Sequence, residues 1–164
     1  ETVGQMRWDG RGAMTNPIEK WRGHLPHWRQ AGATYFVTFR VHAQPMSPAE
    51  RDVVVQNLKA GDRQFYSLVA FVVMPDHLHL ILRDDQRYPL DRILAGIKGT
   101  TARKVNRLRS TQGAFWQDES WDRILRDAAE LDEKLQYIWN NPLKAGLCDR
   151  PEDYPWSYLA DPER

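Results

Sequence analysis

The sequence predicts an α+β domain, an antiparallel sheet carrying helices and flanked by irregular arms. Three observations predict it. Short β-branched and aromatic runs alternate with longer stretches of helical period. The two most apolar runs are joined only by Pro75-Asp76, a tight turn that suits a hairpin. A chain of 164 residues, 41% hydrophobic and 27% charged, has the balance of one soluble globular domain.

Residues 1–33 mix Gly, Trp, Arg and Pro without a period and read as an arm. Thr34 to His42 is β-branched and aromatic and reads as a strand. Ser47-Pro-Ala-Glu50 is a helix start: Ser47 caps, Pro48 suits the first turn, and Glu50 completes a capping box. That helix is expected to run to about Leu58. Phe65 to Met74 is a strongly apolar run, as a central strand covered on both faces would be. His77 to Leu82 alternates and reads as its hairpin partner. Leu90 to Leu108 reads as a helix whose inner positions are Ile93, Leu94, Ile97, Val105 and Leu108, with Gly96 and Gly99 weakening its middle. Trp121 to Arg126 is a short strand. Asp127-Ala-Ala-Glu130 opens a last helix, which Pro142 is expected to end near Asn140. The remainder reads as a Pro- and aromatic-rich tail.

The order β-α-β-β-α-β matches the split β-α-β, ferredoxin-like pattern, with an extra C-terminal helix. Its helices would lie on one face of the sheet, leaving the other for a ligand. The chain then divides into an arm (1–33), a core (34–141) and a tail (142–164). One Cys excludes an internal disulfide framework. No apolar run approaches the roughly 18 residues that span a bilayer, so no membrane partner is expected. The N-terminal stretch lacks the apolar core of a signal peptide, which makes a cytoplasmic, reducing setting the expectation.

Net charge is only +1, but its distribution is uneven. Lys98, Arg103, Lys104, Arg107 and Arg109 follow one another without an intervening acid, whereas 118–133 is mostly acidic. A polyanion-facing side next to a solvent side is one reading; two solvated helix faces is the other.

His77 and His79 are two apart on a strand, so both imidazoles lie on one face while Leu78, Leu80 and Leu82 lie on the other. Two adjacent imidazoles make half of a metal site; two histidines on a solvated face would look the same. In the last helix Leu131, Leu135 and Ile138 form a buried stripe. Tyr137 lies off that stripe, among Glu133, Lys134 and Asn141 at helical spacing.

Met74-Pro-Asp-His-Leu-His79 resembles the signature of the IS200-like single-tyrosine transposases, which belong to the HUH nucleases. Leu25-Pro-His-Trp28, Tyr35-Phe-Val-Thr-Phe39, Phe115-Trp-Gln117, Glu119-Ser-Trp-Asp122, the run Tyr137 to Leu147 and Pro151 to Ser157 are similar to one branch, the REP-associated tyrosine transposases. The resemblance covers about residues 22–158 and implies the following. Tyr137 is the nucleophile. His77 and His79 are paired metal ligands, and Asn141 supplies a third, amide ligand to one divalent ion, Mg²⁺ or Mn²⁺. The partner is a single-stranded DNA hairpin, a REP-like palindrome, which is cut and rejoined through a 5′-phosphotyrosine. The branch implies a monomer, where other single-tyrosine transposases are dimers that share active sites. Asn141 directly precedes Pro142, which biases it away from helical backbone.

A phosphodiester resists attack because its oxygens repel an incoming oxyanion, and a bound divalent cation offsets that repulsion. A phenol in water ionises near pH 10, so about one in a thousand is phenolate at neutrality; Lys134 is a candidate to help. DNA contacts are expected from Arg22, His24, His27, Trp28 and Arg29 of the arm, with Trp21, and from Lys98, Arg103, Lys104 and Arg107. One rival reading is a non-catalytic, single-stranded nucleic-acid-binding domain of RRM type. Another is a zinc site joining His24 and His27 to His77 and His79.

Overall fold

Alternation along the strands decides which side chains meet on each side of the sheet. The computed structural model describes residues 16–22 and 32–163. The elements are α1 (Pro17–Arg22), β1 (Thr34–Arg40), α2 (Pro48–Gly61), β2 (Ser67–Val73), β3 (His77–Arg83), α3 (Leu90–Arg109), β4 (Trp121–Leu125), α4 (Ala128–Lys144) and β5 (Ser157–Leu159). The five strands lie in the order β4-β1-β3-β2-β5, and each neighbouring pair is antiparallel. The first four reproduce the expected ferredoxin-like arrangement.

One face of the sheet carries Val37, Phe39, Phe71, Leu78, Leu80 and Leu82, which pack against Val54 and Leu58 of α2 and Ile93, Leu94, Ile97 and Val105 of α3. The opposite face carries Phe36, Val72 and Ile81, which pack against Leu131, Leu135 and Ile138 of α4 and against Ile18 and Trp21 of α1. β2 keeps this alternation through a bulge between Leu68 and Ala70, so Leu68 joins the first layer while Val69 and Ala70 both join the second.

The helix starts form as the caps dictate. The Ser47 hydroxyl accepts from the Glu50 backbone N–H, and the Asp127 carboxylate accepts from that of Glu130. Gly96 and Gly99 do not interrupt α3, but Leu108, expected among its inner positions, is 56% exposed in the last turn and lies outside the core. α2 extends past Leu58 to Gly61, where a Cβ would strike the Tyr66 phenol ring.

Four further expectations need correction. The second face is not left open: α4, α1 and the C-terminal segment cover much of it. Trp21 is core, not a stacking platform; it is buried, and its indole N–H donates to the Ala160 carbonyl at 2.8 Å. The tail adds an edge strand, β5, to β2, anchored by the Tyr154 hydroxyl donating to the Val73 carbonyl at 2.6 Å.

The fourth concerns Pro142, which does not end the helix near Asn140. α4 continues to Lys144 and terminates at Gly146, whose φ of +72° is left-handed. Gly146 N–H donates to the Leu143 carbonyl and Leu147 N–H to the Pro142 carbonyl, the paired bonds of a Schellman motif. A buried Pro142 therefore sits inside the last turn, and Asn141 keeps helical backbone despite preceding it.

Leu135 is 1% exposed in the seam between α4 and the sheet. Leu135→Ala should destabilise the fold by roughly 2–5 kcal/mol in urea titration, through lost transfer energy and the cavity left behind. A loss below about 1 kcal/mol would mean that α4 is not packed on the sheet.

Candidate active site

Strand register builds the site. Within β1–β3, Thr38 lies opposite His79 and Arg40 opposite His77; within β1–β4, Thr38 lies opposite Trp121. Partners directly across antiparallel strands share a face, so Trp121, Thr38, His79, Arg40 and His77 form one patch. It is the α4 face, at the end of the sheet where β3 begins.

The two imidazoles are adjacent, with ring centroids 4.6 Å apart at 72°. Tyr137 lies against His79, its ring centroid 5.1 Å from that of the imidazole, edge to face. Phe36 forms the floor: it stacks on His79 at 5.4 Å and meets the edges of Tyr137 and Trp121 at 6.1 and 6.0 Å. The Lys134 ammonium lies 4.8 Å from the Phe36 ring centre and 5.4 Å from that of Tyr137. Tyr137 remains 39% exposed, so its phenol is reachable from solvent.

Each imidazole is held through Nδ1. Nδ1 of His79 is 2.8 Å from the buried Thr38 hydroxyl, and Nδ1 of His77 is 2.6 Å from an Asp76 carboxylate oxygen. With Nδ1 carrying the proton, the lone pair on each ring resides on Nε2. Burial pushes the His79 pKa down to about 3, with the nearby charges of His77, Arg40 and Lys134 adding to it. The pull of His77 and Arg40 brings Asp76 below the usual carboxylate range, against its own desolvation. His79 is thus a neutral imidazole at any physiological pH, the form that coordinates a cation.

That donor set fits a divalent ion: two adjacent imidazoles whose Nδ1 atoms are held by a hydroxyl and a carboxylate. Among the described residues no third His, Cys, Asp or Glu joins them. Asn141 lies one turn beyond Tyr137 on the same side of α4, and its amide would have to complete the set.

The structure brings His77, His79 and Tyr137 together as the sequence led us to expect. It does not bring α3 to them. α3 packs on the opposite face, so Lys98, Arg103, Lys104 and Arg107 are separated from the histidines by the sheet. Lys98 donates to the carbonyls of Gln117 and Asp118, and Arg109 is paired with Glu50. Arg103, Lys104 and Arg107 are exposed. Arg22 is held by Asp132 at 2.9 Å. His24, His27, Trp28 and Arg29 lie outside the described residues, and with them the rival zinc site. Thr38, Asp76, Phe36 and Arg40 were not anticipated. Only Asp76 had a signal, its place beside His77; the others enter through the β1–β3 register.

The family model described as "Transposase IS200 like" matches residues 53–141, from α2 through Asn141. This is more than half of the chain. The chain belongs to the IS200-like transposase family. It is also 29% identical over 104 residues to a Haemophilus influenzae protein assigned to the REP-associated tyrosine transposases, covering 56% of this chain. The chain spans 58% of that relative's length. Among solved structures, it superposes with a REP-associated tyrosine transposase bound to a REP hairpin at a TM-score of 0.67, 21% identity, 77% of this chain and 76% of the other. A candidate transposase from Deinococcus radiodurans R1 superposes at 0.50, with 22% identity, 65% of this chain and 88% of the other. These likenesses support the transposase fold. No described helix is long and apolar enough to cross a membrane.

Thr38→Val should destabilise the protein by about 1–3 kcal/mol in urea titration, because it leaves a buried imidazole nitrogen without a partner. Unchanged stability would mean that Thr38 does not hold the ring.

Proposed function

We propose that this chain is a metal-dependent single-stranded DNA endonuclease and strand transferase of the REP-associated type, acting on hairpin DNA through a 5′-phosphotyrosine. The observation that carries this reading is the approach of Tyr137 to the His77–His79 pair, a phenol 5.1 Å, ring to ring, from a neutral imidazole. Family membership supports the reaction class. The hairpin substrate is suggested by the structural relative that was solved with one.

His77, His79 and the Asn141 amide would hold one Mg²⁺ or Mn²⁺, which when bound supplies charge neutralisation at the phosphate and polarisation of its P–O bond. The Tyr137 oxygen attacks phosphorus as its proton leaves. A P–O bond to tyrosine forms, the P–O3′ bond breaks, and a 3′-hydroxyl departs after taking up a proton. The 5′-phosphotyrosine keeps a phosphodiester, so a second 3′-hydroxyl can reverse the step without ATP. Lys134 places a cation beside the Tyr137 ring, where it favours developing negative charge on the oxygen. Phe36 excludes water from beneath both rings and fixes their separation. The exposed guanidinium and ammonium groups of Arg103, Lys104 and Arg107 would meet DNA that wraps past the sheet edge, away from the cut. Arm residues 22–29 are proposed as further contacts.

Incubation with a pool of single-stranded hairpin oligonucleotides and Mn²⁺ should yield a covalent protein–DNA species. That species should vanish in Tyr137→Phe, and in His77→Ala it should be lost while DNA binding stays mostly intact. An adduct surviving in Tyr137→Phe would place the nucleophile elsewhere. Binding without any adduct in the wild type would favour the RRM-type reading.

Replacing Arg103 and Lys104 together by Gln should weaken hairpin binding across sequences and reduce the slope of log affinity against log salt by about 2. An unchanged slope would remove α3 from the DNA path.

A further inference from the structure

We propose that Arg40 and Trp121 form a nucleotide subsite beside the histidine pair, with Arg40 holding a backbone phosphate and Trp121 stacking the adjoining unpaired base. The inference rests on the single-stranded DNA reading above and deepens it by naming what grips the strand next to the reacting tyrosine.

Three observations support it. The first is position. Arg40 lies directly across from His77, and Trp121 lies in the row of Thr38 and His79, so the two flank the patch on the face that carries Tyr137. The second is that both side chains are available. Arg40 is exposed and makes no side-chain hydrogen bond or ion pair with another described residue. Asp76, a carboxylate that Arg40 influences electrostatically, is already bonded to His77 at 2.6 Å. The backbone is nevertheless fixed, because the Arg40 carbonyl accepts from the Gln117 N–H at 2.8 Å. An unpaired guanidinium on a fixed strand end is suited to forked donation to phosphate oxygens.

Trp121 is 54% exposed. Its ring is braced by the edge-to-face contact with Phe36 at 6.0 Å, and about half of the residue remains open to solvent. Trp21, Trp116 and Trp139 are all buried. Leaving a large apolar ring uncovered forfeits its burial, whereas a braced, exposed indole is a surface on which any base can stack. The third observation is chemical. Arg40, across from His77, and Lys134, over the Phe36 ring on which His79 stacks, bracket the histidines with positive charge. Such a field favours an anion at the patch, and the anion at hand in a DNA strand is the phosphodiester.

The test uses the full chain in EDTA, so that binding is read without turnover. The probe is a labelled DNA stem–loop with an unpaired flank, together with versions that carry one methylphosphonate or one abasic site at each flank position. Arg40→Gln and Trp121→Ala should each weaken binding about tenfold. One neutral linkage should weaken the wild type by a similar factor and leave Arg40→Gln unaffected. An abasic site at the neighbouring nucleotide should weaken the wild type and leave Trp121→Ala unaffected. Trp121→Phe should recover most of the affinity, which separates lost stacking from a misfolded edge strand.

If every neutral linkage weakens Arg40→Gln as much as the wild type, Arg40 does not hold phosphate and the subsite is overturned. Equal abasic effects in Trp121→Ala and wild type would overturn the stacking half. Covalent capture by Tyr137 in a parallel sample of the same protein and probe, with Mn²⁺ in place of EDTA, shows that the transposase reading stands in either case; its absence there would bring down the reading itself.

Discussion

The site depends on one packing constraint, the seating of α4 on the sheet. Tyr137 makes no hydrogen bond to another described residue that would place it. Its position follows from Leu131, Leu135 and Ile138, which lock the helix rotation by burying one stripe against Phe36, Val72 and Ile81. An α-helix turns about 100° per residue, so a slip of one residue would swing the phenol off the histidines entirely. Phe36 serves both parts of this arrangement. It is 2% exposed, a core residue beneath α4, and it is also the surface on which His79, Tyr137 and Lys134 rest. Stability and geometry at the site therefore cannot be varied independently there.

The electrostatics follow from the same burial. A histidine on an open sheet would titrate near neutrality. Here His79 is shut beneath an aromatic ring, against a Thr hydroxyl and among positive charges, so it stays neutral. Its neighbour His77 is instead held by a carboxylate in solvent reach. The pair thus combines one ring oriented by a neutral hydroxyl and one by a charged oxygen. Arg40 and Lys134 add positive charge around the pair, offset in part by the Asp76 carboxylate, and this suits a substrate that brings its own negative charge.

Much of this was legible in the sequence because it rests on local periodicity. The period of two in His77 to Leu82 placed the imidazoles together, and the 4–3 spacing of Leu131, Leu135 and Ile138 set Tyr137 apart from the buried stripe. The Ser47 and Asp127 caps were readable for the same reason: their bonds close within three residues. What was not legible depends on distant partners. α1 is six residues long, and its Trp21 is buried by a segment 139 residues away. β5 has three residues and exists because β2 offers an open edge. The roles of Thr38 and Arg40 require the β1–β3 register, which no single strand encodes. The charge run on α3 divides: Arg103, Lys104 and Arg107 are exposed, whereas Lys98 and Arg109 are tied to Gln117, Asp118 and Glu50, and neither this nor the face they occupy follows from the run itself.

The end of α4 shows how a local rule was overridden. Proline removes a helical donor and crowds the carbonyl four residues back, which argued for a stop near Asn140. Near a C-terminus, however, the penalty is confined to the final turn, and Gly146 offers a better stop one turn later, with a left-handed φ that closes two bonds back onto the helix. Last turns of helices fray. This one is held by those two bonds and by the burial of Pro142. Asn141, immediately before the proline, consequently keeps a fixed helical position one turn from Tyr137. The Asn-Pro-Leu-Lys-Ala-Gly run is thus a rigid terminator, and its rigidity is what an amide must have if it is to complete a coordination set begun by two imidazoles on another element.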